Sequence, residues 1–187
     1  MKKIFLMLSV IASVALFASC SSTQPTATTT SDSTYEVPCS GPGYRTDATT
    51  FRATANAVAG NEDVARKQAT TSARTELAAS INATIKAVSD NYAKNYVEGE
   101  TPATVQRFEE LARTVVSQKI SGSHIICEKY QKMGEAKYKC YVCVELATAD
   151  VLSALNSSLS NDSKLKIDYD YEKFKKTFEE EMAKLAE

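Results

Sequence analysis

The sequence has no tryptophan, a single histidine, six glycines and no excess of basic side chains. Without tryptophan or a glycine-rich loop, the usual sequence signals of carbohydrate and nucleotide binding are missing. The 22 basic and 23 acidic residues nearly balance, which argues against nucleic acid as a partner. His124 has no metal-ligand spacing around it, and a catalytic base needs an orienting partner. We therefore expect no metal, no cofactor and no enzymatic activity.

The amino-terminal residues have the layout of a secretory signal peptide. Two lysines precede an apolar run over residues 4–17, and small side chains follow the run. The run has about 14 residues, whereas roughly 20 are needed to span a bilayer, so a permanent transmembrane helix is the poorer interpretation. We predict a signal peptide over residues 1–19.

The segment Phe17-Ala18-Ser19-Cys20 resembles the lipobox of bacterial lipoproteins. In that class the cysteine becomes the first mature residue and carries diacylglycerol and an amide-linked fatty acyl chain such as palmitate. The resemblance implies that Cys20 is lipidated; ordinary signal cleavage, which would leave an unmodified cysteine, is the alternative. Several acyl chains on one residue anchor a protein stably to a membrane, at roughly 0.8 kcal/mol per buried methylene.

The stretch after Cys20 is almost entirely Ser, Thr, Ala, Asp, Pro and Gln, without periodicity. This composition predicts a flexible tether with a reach of roughly 20 Å, so we assign residues 20–34 to the lipidated cysteine and its tether. Ser21-Ser22-Thr23 lacks the acidic patch that resembles a surface-export signal in Bacteroidetes lipoproteins. We therefore expect an anchor in the outer membrane of a bacterial envelope, facing the periplasm.

Hydrophobic periodicity predicts an alternation of strands and helices in the remaining chain. Residues 49–60 alternate apolar and polar side chains, which indicates a strand. Asn61 is a good N-cap, and apolar residues then recur every three or four positions, which predicts one long helix over 62–97. A second helix is expected over 102–118 and a short helix over 148–159.

The stretch 123–146 predicts a β-hairpin. If its turn centres on Met133-Gly134, Cys127 lies directly opposite Cys140 and the hairpin buries a coherent apolar face.

Four cysteines remain in the predicted domain, and in an oxidising envelope we expect structural disulfides. Three pairings are possible; we favour Cys127 with Cys140, which leaves Cys39 with Cys143. That some of them stay as buried free thiols is the alternative. Cys140 and Cys143 are three positions apart on a predicted strand, so their side chains point to opposite faces and cannot easily chelate one metal.

The tail over 167–187 predicts an amphipathic helix. Tyr171, Phe174, Phe178 and Met182 lie on one stripe of this helix, with Glu and Lys elsewhere. The stripe needs a cover, which is either the sheet of the same chain or another subunit, so we take these four residues as candidates for partner binding.

Together these features resemble the LPP20-like bacterial lipoproteins over residues 36–150. The resemblance implies a small dodecin-like domain of β-α-β-β order without an established catalytic site. The resemblance rests on the lipobox, a turn, a helix motif and a hairpin that ends in YKCYVCVEL. The turn is Pro38-Cys39-Ser40-Gly41. The helix motif comprises Ala65-Arg66, Ala69, Ala73-Arg74 and Leu77.

We therefore expect one α+β domain over 35–187, in which a small antiparallel sheet is covered by one long and several shorter helices. Its expected role is non-catalytic binding or assembly, as a homo-oligomer or with another envelope protein. The alternative is a small-ligand carrier, in which dodecin-like subunits enclose a pocket lined by Tyr92, Tyr96 and Tyr138.

Overall fold

The computed structural model describes residues 36–96, 102–165 and 169–185. The predicted signal peptide, the lipidation candidate Cys20 and the predicted tether up to residue 34 lie outside these residues. Three strands and four helices follow one another in the described part: β1 (Thr50–Ala59), α1 (Glu62–Tyr96), α2 (Pro102–Lys119), β2 (His124–Gly134), β3 (Lys137–Ala147), α3 (Thr148–Asn161) and α4 (Tyr171–Leu185). The elements predicted from the sequence pattern are thereby confirmed, with bounds that differ by a few residues.

The three strands form one antiparallel sheet in which β3 lies between β1 and β2. Phe51 lies opposite Leu146, and the pairing of β1 with β3 continues without interruption to Ala59 opposite Tyr138. Residues 140–144 of β3 are all buried, so both faces of the central strand are covered. A continuous apolar run is what a strand buried on both faces requires.

α1 covers one face of the sheet with its first half. The side-chain oxygen of Asn61 accepts a hydrogen bond from the backbone N–H of Val64 at 2.9 Å, which caps the helix. Ala65, Ala69 and Ala73 are fully buried, and their small side chains let the helix backbone approach β1 and β3 closely.

The second half of α1 packs against other helices of the same chain. Its buried side chains become larger, with Leu77, Ile81, Ile85 and Val88 at 0–1% exposure. α2 and α4 both contact α1. At 35 residues the helix is about 52 Å long, and these two helices cover the half that contributes the large side chains.

The apolar stripe of α4 also finds its cover within the chain. Phe174, Phe178 and Met182 are at most 2% exposed, and Tyr171 is half-buried. The rings of Phe178 and Phe51 make an edge-to-face contact at a centroid distance of 6.5 Å. The cover therefore lies within the same chain, but helices α1 and α3 contribute to it beside the sheet residue Phe51.

The hairpin register differs from the predicted one. Cys127 lies opposite Cys143, and Cys140 lies opposite Tyr130. The turn follows Gly134, which pairs with Lys137 and adopts a positive φ of 153°, so it lies later than a turn centred on Met133-Gly134. Two register irregularities, between 132 and 134 and between 125 and 127, each move the pairing back by one residue towards the predicted register.

The disulfide pairing also differs from the predicted one. Cys39 is bonded to Cys127, with a Cα–Cα distance of 5.6 Å, while Cys140 and Cys143 are buried free thiols. The predicted bond between Cys127 and Cys140 cannot form because those two side chains lie on opposite faces of the sheet. Cys140 joins the main core under the helices, and Cys127 joins Cys39 and Cys143 on the other face.

Candidate interaction surface

The face of the sheet opposite α1 carries a small second core around the disulfide. Cys39, Cys127, Tyr141 and Cys143 are buried there, and Tyr44 packs against them. The Tyr141 hydroxyl donates a hydrogen bond to the side-chain oxygen of Gln131 at 3.2 Å. The disulfide therefore fastens the segment before β1 to β2, and that segment covers part of this face.

The two free thiols of β3 are in surroundings that suppress reactivity. Burial raises the pKa of Cys143 to about 11 and also raises the pKa of Cys140. A reactive thiol needs the opposite shift, usually from a helix N-terminus or a nearby cation. Because Cys140 and Cys143 also face opposite sides of the sheet, as their spacing predicted, they form neither a redox pair nor a common metal site.

A charged cluster fixes the start of β1. The Arg52 guanidinium pairs with the carboxylates of Asp47 and Glu145. Hydrogen bonds from the Thr49 hydroxyl and backbone N–H, together with Arg52, lower the pKa of Asp47 to about 2. The Thr46 hydroxyl accepts from the Arg52 N–H at 3.0 Å and donates to the Arg52 carbonyl at 3.1 Å. The cluster thus occupies the outer backbone groups of β1 at this residue.

A small apolar cavity lies between α1, α2, the last turns of α3 and the segments that follow α3. Tyr92, Phe108, Leu159, Leu165 and Tyr169 are among its lining residues. Its volume is about 30 Å³, which is room for one or two water molecules rather than for an organic ligand.

The three tyrosines proposed for a carrier pocket do not converge within one chain. Tyr92 and Tyr96 lie in the last turns of α1, with ring centroids 5.5 Å apart. Tyr138 lies opposite Ala59, which precedes the first turn of that 35-residue helix.

The remaining candidates for chemistry are also separated. His124 is exposed at the first position of β2. Within residues 36–96, 102–165 and 169–185, no group of three or more His, Cys, Asp or Glu side chains is placed to hold a metal ion. Of the predicted partner-binding residues, Phe174, Phe178 and Met182 are core side chains, so no open docking face exists at those positions.

The open surface lies instead on β2. We use the term β2 edge for the outer side of this strand, His124–Gly134, which has no strand beside it among the described residues. Cys127 is the single buried residue of β2. Four large apolar side chains are exposed along it: Ile125 (40%), Ile126 (38%), Tyr130 (42%) and Met133 (54%).

The β2 edge also carries charges without ionic partners in the described structure. Glu128, Lys129 and Lys132 are exposed and belong to none of the ion pairs found among the described residues. The Glu128 carboxylate accepts a hydrogen bond from the Tyr130 hydroxyl at 2.8 Å. An eleven-residue unpaired strand with exposed apolar side chains is a surface on which another chain can add.

Sequence reasoning did not identify this surface, although a signal was present. The predicted register placed the hairpin's apolar residues on one buried face. Glu128 and Lys129, however, are consecutive and therefore put charge on both faces of β2, which is typical of an edge strand rather than of a buried one.

Comparison with known proteins gives no similarity from which a family or a function follows. The chain matches no protein-family model, no curated protein and no solved structure. Among the helices that the structure describes, none combines the length and the apolar content needed to cross a membrane. The β2 edge is therefore the structural basis of the function proposed below.

Proposed function

We propose that this chain is a lipid-anchored protein of a bacterial cell envelope, held at the outer membrane on its periplasmic side, with a non-catalytic binding or assembly role. The observation that carries the binding role is the β2 edge, which leaves one side of an eleven-residue strand unpaired and four large apolar side chains exposed. An unpaired strand edge that carries exposed large apolar side chains is a surface on which another chain can add.

The disulfide supports the proposed compartment. Bonds such as Cys39–Cys127 persist in oxidising surroundings, which include the periplasm, and are rare in the cytosol. Cys39 lies close in sequence to the proposed tether, so an anchored chain would enter its folded domain at a covalently fixed point.

Membership of the LPP20-like lipoproteins, with a dodecin-like domain, is part of the same proposal. The described order is β1, α1, α2, β2 and β3, which supports the proposal only in that one strand and a long helix precede a hairpin, with α2 as an additional helix. The alanine motif of that family falls on the face of α1 that packs against the sheet.

The anchor is tested by lipidation at a single position. Cells that express the chain are grown with labelled palmitate and fractionated, with the Cys20→Ser variant as the matched control. We expect label and outer-membrane location for the wild type, and loss of both for the variant. An unlabelled wild-type chain would contradict lipid anchoring.

The binding role is tested by a photo-crosslinking amino acid placed at Tyr130 in intact cells. The matched control carries the same group at Glu180, which is exposed on α4. We expect an adduct of defined mass from position 130 and none from position 180. Equal yields from both positions would contradict a role for the β2 edge.

A further inference from the structure

We propose that the partner of the β2 edge is a second copy of this chain, whose own β2 adds antiparallel to it about a two-fold axis centred on Tyr130. The two three-stranded sheets would then form one six-stranded sheet. This inference rests on the proposed assembly role and names the partner. Three features of β2 support it: its open outer side, the length of its regular segment and the charges along that segment.

The two edge strands of the sheet are not equally open. At β1 the Thr46 hydroxyl already bonds both the N–H and the carbonyl of Arg52, and the Arg52 side chain is held by Asp47 and Glu145. No such group occupies the outer side of β2 among the described residues. β2 therefore offers free backbone donors and acceptors along its outer side, whereas the outer side of β1 is already occupied at Arg52.

The geometry of β2 restricts the pairing to a short stretch. Register irregularities between 125 and 127 and between 132 and 134 bound a regular segment of residues 127–132. Within it Glu128, Tyr130 and Lys132 share one face, because they pair with the alternate β3 residues Val142, Cys140 and Tyr138. Residues opposite each other in an antiparallel sheet share a face, so a two-fold axis that joins two copies into one sheet passes through a residue position and not between two.

Charge then selects one position for that axis. Centred on Tyr130, Glu128 of each copy faces Lys132 of the other, Tyr130 faces its own copy, and Lys129 faces Gln131. This register forms two opposite-charge pairs and opposes no like charges. Cross-strand pairs of opposite charge stabilise a sheet, whereas like charges directly opposite destabilise it.

Two-fold axes through the neighbouring residues give less favourable charge pairs. An axis through Lys129 sets that lysine against itself, and axes through Glu128 and Lys132 likewise oppose identical charges. An axis through Gln131 places Glu128 opposite Gly134 and Lys132 opposite Tyr130, so no ion pair forms. The register centred on Tyr130 also gives a partner to Glu128 and Lys132, which have no ionic partner in the described single chain.

The test is a charge exchange on the full chain in detergent micelles, with the oligomeric state followed by sedimentation over a dilution series. We expect the wild type to dimerise. Glu128→Lys and Lys132→Glu should each turn two attractive pairs into two repulsive ones and raise the dimer dissociation constant by about 10- to 100-fold. Glu135→Lys, at the exposed hairpin turn, is the matched control and should leave that constant unchanged.

Two combinations of these substitutions test whether the charges pair in the proposed register. An equimolar mixture of the Glu128→Lys and Lys132→Glu chains should form a heterodimer, because every facing pair is again of opposite charge. The chain that carries both substitutions should dimerise with itself. Should either reversal unfold the domain by circular dichroism, Glu128→Gln and Lys132→Gln replace it, with a smaller expected weakening.

A wild-type chain that stays monomeric throughout the dilution series would overturn self-pairing. So would a dimer that neither reversal weakens, or a mixture that fails to reassociate. These results leave the proposed function standing, because lipidation of Cys20 and an adduct from position 130 with a different protein are measured separately. Failure of those two measurements would refute the proposed function even if purified chains dimerise.

Discussion

At the scale of single residues, Cys127 joins β2 covalently to the segment that precedes β1. It is the one buried residue of β2 and the bonding partner of Cys39, 88 positions earlier in the chain. Composition and compartment predicted a disulfide, but the pairing depended on which face of the sheet each cysteine occupies. That assignment follows from the hairpin register, which the sequence pattern alone did not determine.

Removal of the disulfide is expected to lower the stability markedly. For a separation of 88 residues, the loss of chain entropy in the unfolded state corresponds to about 4–5 kcal/mol, and measured losses are about 2–5 kcal/mol. Both Cys39 and Cys127 should become serine together, because Cys143 lies opposite Cys127 and could pair with it. The free energy of unfolding in urea measures the effect.

Reduced wild-type protein provides the matching control for that double variant. The two should unfold at the same urea concentration, below that of the oxidised wild type. If reduction leaves the midpoint of the wild type unchanged, the bond does not stabilise this fold.

Asp47 should make stability depend on pH in the acidic range. Its folded-state pKa of about 2 lies below the ordinary 3.8, so the unfolded chain binds the proton more readily. The stabilisation is complete above pH 3.8 and is lost as the pH falls towards 2. With 43% of the side chain exposed, we expect a contribution of only about 1 kcal/mol.

Asp47→Asn tests this origin of the pH dependence. The variant should be less stable than the wild type at neutral pH, and the difference should shrink as the pH falls from 3.8 to about 2. Thermal unfolding across this interval measures it. A difference that stays constant with pH would assign the effect to something other than the Asp47 charge.

At the scale of elements, α4 is a component of the core. Phe178→Ala should destabilise the domain by about 3–5 kcal/mol, because a ring that is 2% exposed and in edge contact with Phe51 leaves a cavity. Leu185→Ala on the same helix is the control: at 45% exposure it should change the stability by less than about 1 kcal/mol. Equal losses at both positions, measured by urea unfolding, would contradict this packing.

Periodicity was sufficient to predict the elements but not their pairing. Apolar residues every three or four positions, begun by the Asn61 cap, defined α1, and alternation defined β1, since both signals are local. The hairpin register depended on Gly134 and on two irregularities of β2. A register shift of one residue moves every side chain of a strand to the other face of the sheet. The sequence pattern also did not determine whether the apolar face of α4 packs against the same chain or against another subunit, because that depends on the assembled core.

At the scale of the whole molecule, the position of each strand in the sheet implies that local stability decreases from β3 to β2. β3 is buried on both faces and paired on both sides, whereas β2 is mostly exposed and paired on one side. Local opening is easiest where few contacts are lost. We therefore expect backbone amides of β3 to exchange hydrogen most slowly and those on the outer side of β2 most rapidly.

Hydrogen exchange followed by mass spectrometry measures this order. The Glu128→Lys chain is the suitable sample, because the proposed pairing is weakened there and β2 is seen without a partner. If β2 of that chain exchanges as slowly as β3, the edge is covered by something else and the gradient is wrong.

The crosslink also determines how the domain would respond to mechanical force. Tension applied from the amino-terminal side enters the fold at Cys39 and passes through the covalent bond directly to Cys127. β1, α1 and α2 lie in the loop between these residues and bear none of the load. Stretching can lengthen only the parts of the chain outside that loop. Reduction would place the three elements in series with the force, so the same domain would become far more extensible in reducing surroundings.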